Sequence, residues 1–169
     1  MTHIKGNQLY TKMMAAIAIV SVMGVTKVEA HHGFSGQYDV SKPLYLQGTV
    51  REVRWQSPHS ILVLELPKNL EVPSAFRQLA QVNELGSDTQ KRLAVPRNLL
   101  GTRQRVEFPP LASMVDPLQN RLQRGDTVQL VVLRNCQAPN QLRVLLARLS
   151  DGTTVARART GNQVNGCDS

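Results

Sequence analysis

Aromatic residues are scarce in this chain: one tryptophan, three tyrosines and three phenylalanines among 169 residues. So few flat rings cannot build the stacking platforms that hold single-stranded nucleic acid, and no DNA-reading motif is present, so nucleic acid is not expected as a partner. Cysteine is scarcer still. Cys136 and Cys167 stand alone and neither belongs to a CxxC pair, which argues against a metal site built on them. The longest apolar stretch, "MMAAIAIVSVMGV", covers 13–25 and falls short of the roughly 20 residues that a membrane-crossing helix needs. No Gly-x-Ser-x-Gly elbow, phosphate loop, HExxH or dinucleotide glycine pattern occurs, and no pair of carboxylates sits where their pKa values would be driven apart. The sequence therefore reads as that of a protein that is not an enzyme.

What is present begins with an address. Lys5 and Lys12 precede the apolar run, and Val28-Glu29-Ala30 places short residues where a signal peptidase reads, so residues 1–30 are expected to be a secretory signal peptide. Cleavage after Ala30 would make His31 the first residue of a periplasmic or secreted domain spanning 31–169, with no membrane span left. Two cysteines in an oxidising compartment suggest one disulfide, Cys136–Cys167, tying down a C-terminal tail of loop composition, "TGNQVNGCDS". Loss of the leader removes three lysines and Glu29, lowering the net charge of +8 by two to +6. The excess comes from arginines scattered through 51–159, which suits either a surface charged for solubility or contact with an anionic surface or an acidic envelope protein.

Period-two alternation marks a strand over "LYLQGTVREVR", 44–54, and a run of branched side chains marks another over 60–66, with Ser57-Pro58 breaking the chain between them. Trp55, Pro58 and His59 lie in that break, a candidate binding loop. From about 67 to 102 the period shifts toward 3.6: Ser74 could cap a helix in which Phe76, Leu79, Val82 and Leu85 share a face, closed by Gly86. Strands follow at 103–108 and 127–135, separated by a weakly helical connector. Ser150-Asp151-Gly152 then turns a hairpin between 141–149 and 153–159. The expected fold is mainly β, a small antiparallel β-barrel (OB-like) or sandwich carrying a helical insertion.

Three stretches, "AHHGFSGQYDVSKPLYLQGTVREVRWQSPH" at 30–59, "LQRGDTVQL" at 122–130 and "LLARLSDGTTV" at 145–155, together resemble DUF6152, a family of small exported bacterial proteins of unknown function. The first is the specific one, with its His-His-x-Phe opening, Tyr-Asp before Lys-Pro, Gly-Thr-Val strand and Trp-x-x-Pro-His loop. The resemblance implies a compact exported β-domain and supplies no activity. The insertion at 67–102, the disulfide and the arginine content depart from the family pattern.

After cleavage the remaining histidines would be His31, His32 and His59. A leading histidine offers its amine and its Nδ1 as a chelate, and a third nitrogen from His59 would complete a T-shaped set suited to copper. If "GFSGQYD" folds back on "YLQGTVREV" about a turn near Ser41-Lys42, position 31 falls opposite about 52, near the loop that holds His59. Two plainer roles compete with the metal. A terminal His-His pair can be solvated, and His59 can hydrogen-bond a neighbouring group to fix its loop. Trp55 is expected as a plug at the edge of the core, Phe34 as a plug at the barrel end, Asp39 as a turn acceptor near Ser41, and Lys42-Pro43 as the fixed approach to the first strand.

Overall fold

The computed structural model describes residues 37–56, 58–86, 88–157, 166 and 167. Six strands make one sheet: β1 (Leu44–Arg54), β2 (Ile61–Glu65), β3 (Arg103–Glu107), β4 (Thr127–Arg134), β5 (Leu142–Leu149) and β6 (Thr154–Ala156). The sheet order is β3-β2-β1-β4-β5-β6, and a further pairing of β3 with β5 joins the two flanks, so the hydrogen bonding runs in a ring. Neighbours are antiparallel except at that closing seam, where Val106 pairs with Leu142 and Glu107 with Arg143 in parallel. The mainly β fold expected from the sequence is therefore present, with few and short helices.

The long β1 serves two partners. Its first half, Leu44–Thr49, lies against β4, and its second half, Thr49–Arg54, against β2. Gly48 stands at the changeover, where a Cβ would come within 2.5 Å of the Glu65 carbonyl oxygen, so only glycine admits β2 this closely. The expected fold-back of residues before β1 onto β1 itself does not occur for Gln37–Asp39. Ala94 takes the second edge of β1 at Tyr45, whose N donates to its carbonyl at 2.8 Å, and this lead-in pairs with the end of β4 instead: Asp39 N donates to the Arg134 carbonyl at 2.9 Å and Cys136 N to the Gln37 carbonyl at 2.8 Å. Asp39 does accept from Ser41 N, as a turn acceptor should.

Alternation divides the strands between two apolar clusters. Leu46, Val50, Leu62, Leu64, Val106 and Leu130 point into the ring. Helix α4 (Ala112–Gln119) adds Met114 and Leu118 to that interior, both fully buried. Tyr45, Val131 and Leu146 form a row across β1, β4 and β5 on the outer face, and the insertion covers them with Phe76, Val82, Leu85 and Leu93. The single helix expected after Ser74 is instead α1 (Ser74–Arg77) and α2 (Ala80–Glu84), interrupted by Leu79 in an extended conformation, and α3 (Thr89–Arg92) follows. Pro73, not Ser74, holds the cap position, and no side chain caps any of the three. Helices of one turn have no stability of their own, so burial of Phe76, Val82 and Leu85 against the sheet holds them. Arg77 adds a clamp, donating to the carbonyls of Gln90 and Leu93.

At the hairpin, Gly152 takes a positive φ of 87° between β5 and β6, the role the Asp-Gly pair announced. Cys136 and Cys167 are bonded, with Cα atoms 5.2 Å apart. Gly166 lies beside the Ser41 hydroxyl, so the tail is held against the lead-in to β1. Among the described residues no helix is long and apolar enough to cross a membrane.

Candidate functional site

The loop between β1 and β2 divides two environments. The backbone fixes its far end, since Phe108 N donates to the Ser60 carbonyl at 2.9 Å while the Ser60 hydroxyl reaches the Gln56 carbonyl. On one side of the loop His59 joins a polar cluster at the β3–β5 seam. Arg143 is only 8% exposed. Its guanidinium donates to the Tyr38 hydroxyl at 2.9 Å, faces the Glu107 carboxylate at 3.5 Å and lies 3.4 Å from His59 Nδ1. Gln141 donates to the same Glu107 carboxylate at 2.9 Å. A buried charge pair of this kind demands its full set of partners, and the parallel seam brings them together by placing Glu107 opposite Arg143.

Guanidinium is a donor and never an acceptor, so it turns the Nδ1 lone pair of a neutral His59 toward itself and leaves the ring hydrogen on Nε2. Metal-bound imidazoles have the opposite arrangement, donating the second ring nitrogen to a carboxylate or carbonyl. His31 and His32 lie outside the described residues, as does Phe34. Among the described residues no three or more His, Cys, Asp or Glu side chains gather as metal ligands would.

On the other side of the loop is a groove of about 310 Å3. Trp55 and Pro58 from the β1–β2 loop line it together with Pro109, Leu111 and, from α4, Val115 and Asp116. Trp55 is half-buried, its ring 5.8 Å from that of Phe108, so the plug at the core edge also serves as groove wall. Leu111 is the one exposed large hydrophobic side chain among the described residues, at 37%. Between β3 and α4 the chain turns tightly at Pro110, where Leu111 N donates to the Pro109 carbonyl at 2.8 Å. A second hollow, of about 270 Å3, lies at the β1 changeover between Gln47 and Pro67 and carries no aromatic side chain.

The sequence-predicted residues therefore separate. Trp55 and Pro58 line the groove and His59 faces the seam. Cys136 and Cys167 form the expected disulfide. Arg143, Glu107 and Asp116 were missed. An arginine amid the apolar run "QLRVLLARL" is a signal that a buried counter-charge is needed, but only the seam pairing reveals which.

Of the titratable groups that shift, Glu65, Asp151 and Tyr45 lie away from both features, while Arg157 feels the charge of Arg143 at the seam. The Arg51 guanidinium, helped by Arg103, holds the Glu65 carboxyl below the usual range. Backbone and hydroxyl bonds from Thr153, with Arg121, do the same for Asp151. Burial pushes the Tyr45 hydroxyl up to about 12 in the outer cluster. Burial also lowers Arg157, with the charge of Arg143 adding to the effect.

These features define a small β-sheet protein with a ligand-sized groove beside a buried arginine cluster. Residues 18–96, 79 of the 169, match the family model of DUF6152, a family of unknown function; the match contains the first of the three resembling stretches, 30–59, while 122–130 and 145–155 lie beyond it. The match takes in the β1–β2 loop and most of the 67–102 insertion, whereas the α4 wall and Arg143 lie beyond it. No curated protein matches the chain.

Proposed function

We propose that this protein is a non-catalytic domain, exported to the periplasm or secreted, that binds a ligand or partner at the groove beside the β1–β2 loop. The groove's lining supports the reading: Trp55, Pro58, Pro109, Leu111 and Val115 bound a volume at the lower end of the range for ligand sites. The carboxyls with shifted pKa values, Glu65 and Asp151, lie in surface ion pairs and the Tyr45 hydroxyl in the outer cluster, where they serve structure, and that favours binding over acid–base chemistry. The test is the uncharged dye N-phenyl-1-naphthylamine. Its fluorescence should rise with the protein and fall back about five-fold for Val115→Glu, and no rise at all would end the groove reading.

A copper site at His31, His32 and His59 is the second reading. The observation in its favour is that Tyr38, six residues after His32, and His59 meet on one arginine. Binding through His59 requires its ring to leave Arg143, because a hydrogen moved to Nδ1 would meet a guanidinium that only donates. Cu(II) titration followed by EPR should give a signal that His31→Ala/His59→Ala abolishes; identical spectra for the two proteins would remove the metal. Mass spectrometry of the exported chain checks that His31 leads it.

Binding of an anionic envelope surface or acidic protein through the insertion has less support, because Arg77 is spent on internal carbonyls and Arg92 faces Asp88. Lys68, Lys91 and Arg97 remain exposed there. Charge reversal at these three positions tests it. Deleting the insertion would instead uncover Tyr45, Val131 and Leu146.

A further inference from the structure

The groove has the wrong sign for the protein that carries it. The chain has 20 lysines and arginines against 12 acidic residues, yet the described side chains lining the groove include Asp116 and no lysine, arginine or histidine. Asp116 is exposed on α4 and forms no salt bridge among the described residues. It lies in the second half of that helix, whose last turn contains no basic residue, so the partial negative charge of the helix C-terminus adds to that of the carboxylate. Gln56, Ser60 and Gln119 add neutral polar groups to the lining. The indole of Trp55, whose π face attracts cations more strongly than any other side-chain ring, lines the same groove.

We infer that the groove takes a small organic cation with an apolar body, its hydrocarbon portion against Trp55, Pro58, Leu111 and Val115 and its ammonium group directed to Asp116. The inference rests on the groove reading and adds the charge of the ligand to it. A field set by the whole protein would draw in anions. The local carboxylate, the helix end and the indole favour the opposite sign, and at the short distances inside a groove they outweigh charges farther away than a Debye length of about 8 Å at physiological salt.

The experiment uses three probes of one shape: 4-phenylbutylamine, a cation at pH 7, the neutral 4-phenylbutanol, and the 4-phenylbutyrate anion. Trp55 is the only tryptophan, so its fluorescence reports the groove alone. Each probe is titrated into the purified protein at physiological salt. The amine should bind about three- to five-fold more tightly than the alcohol, the upper part of the span expected of an exposed ion pair with Asp116, and the butyrate should bind weakest. Asp116→Asn, a surface change that leaves the far-UV circular dichroism unaltered, should bring amine and alcohol to within about two-fold of each other. Equal binding of amine and alcohol in the unaltered protein, or tighter binding of butyrate, overturns the cation assignment while leaving the groove a binding site. Failure of all three probes to change the fluorescence overturns the groove reading itself.

Discussion

The outer face of the sheet is built twice, in opposite styles. Across β1, β4 and β5 it carries Tyr45, Val131 and Leu146 and is roofed by the insertion. Across β2 and β3 it carries Val63, Glu65, Arg103 and Arg105, and none of the described residues roofs it. The bare side keeps its charges paired: Glu65 accepts from Arg51 at 2.7 Å and Arg103 at 3.3 Å, and Arg105 faces Glu107 at 3.4 Å. A strand's outward residues thus take their character from what the chain brings over them afterwards. The insertion serves as the lid of a second core before it can serve as an interaction arm.

Phe76→Ala should break this contrast most visibly. It removes the ring that meets Tyr45 edge-on at 4.8 Å and should cost about 4 kcal/mol in urea unfolding. Val63→Thr on the unroofed side should cost less than about 1 kcal/mol, and equal costs would show that the two faces do not differ as described. Next in size is Glu107→Gln, at the seam where the bare face passes into the interior. It strands the Arg143 guanidinium and should cost about 3 kcal/mol, much of which Glu107→Met/Arg143→Met should recover.

Tyr45→Phe should cost about 1 kcal/mol, because its hydroxyl both donates to Gln47 and accepts from Gln129. The same hydroxyl titrates near 12 in the fold, above the ordinary value of about 10. The contribution of its neutral form is therefore complete below pH 10 and disappears as pH rises through 12. The Phe variant should lack that alkaline loss, which unfolding measured across this range would detect.

Smallest is Glu65→Gln on the solvated face. The Glu65 carboxyl is held low by Arg51, so its stabilisation exists above the ordinary carboxylate pKa of about 4.3 and fades as pH falls through the lower folded value. Unfolding midpoints of the two proteins should converge in acid. A constant gap down to pH 2 would mean that the ion pair is not the cause.

Local chemistry was readable and long-range pairing was not. The alternation of "LYLQGTVREVR", the Asp-Gly hairpin and the lone pair of cysteines each pointed to its observed structure, because period, turn and count are properties of short segments or of composition. The break at Leu79 was hidden because the apolar positions keep a helical spacing on both sides of it. The lead-in to β1 was assigned to the wrong strand, since nothing in residues 37–39 specifies Arg134–Cys136 as neighbours. Trp55 and Pro58 stood out as part of a groove, but the rest of its lining required knowing that α4 follows a proline pair at the same end of the ring.

The Cys136–Cys167 bond has a consequence for how the molecule is put together. It fastens the tail beside the residues that lead into β1, so the two extremities of the folded unit are moored at a single point. A thiol reductant would cast off the tail while the lead-in kept its backbone bonds to Arg134 and Cys136, so the mooring that lends Tyr38 to the seam would lose one of its two ties in reducing surroundings.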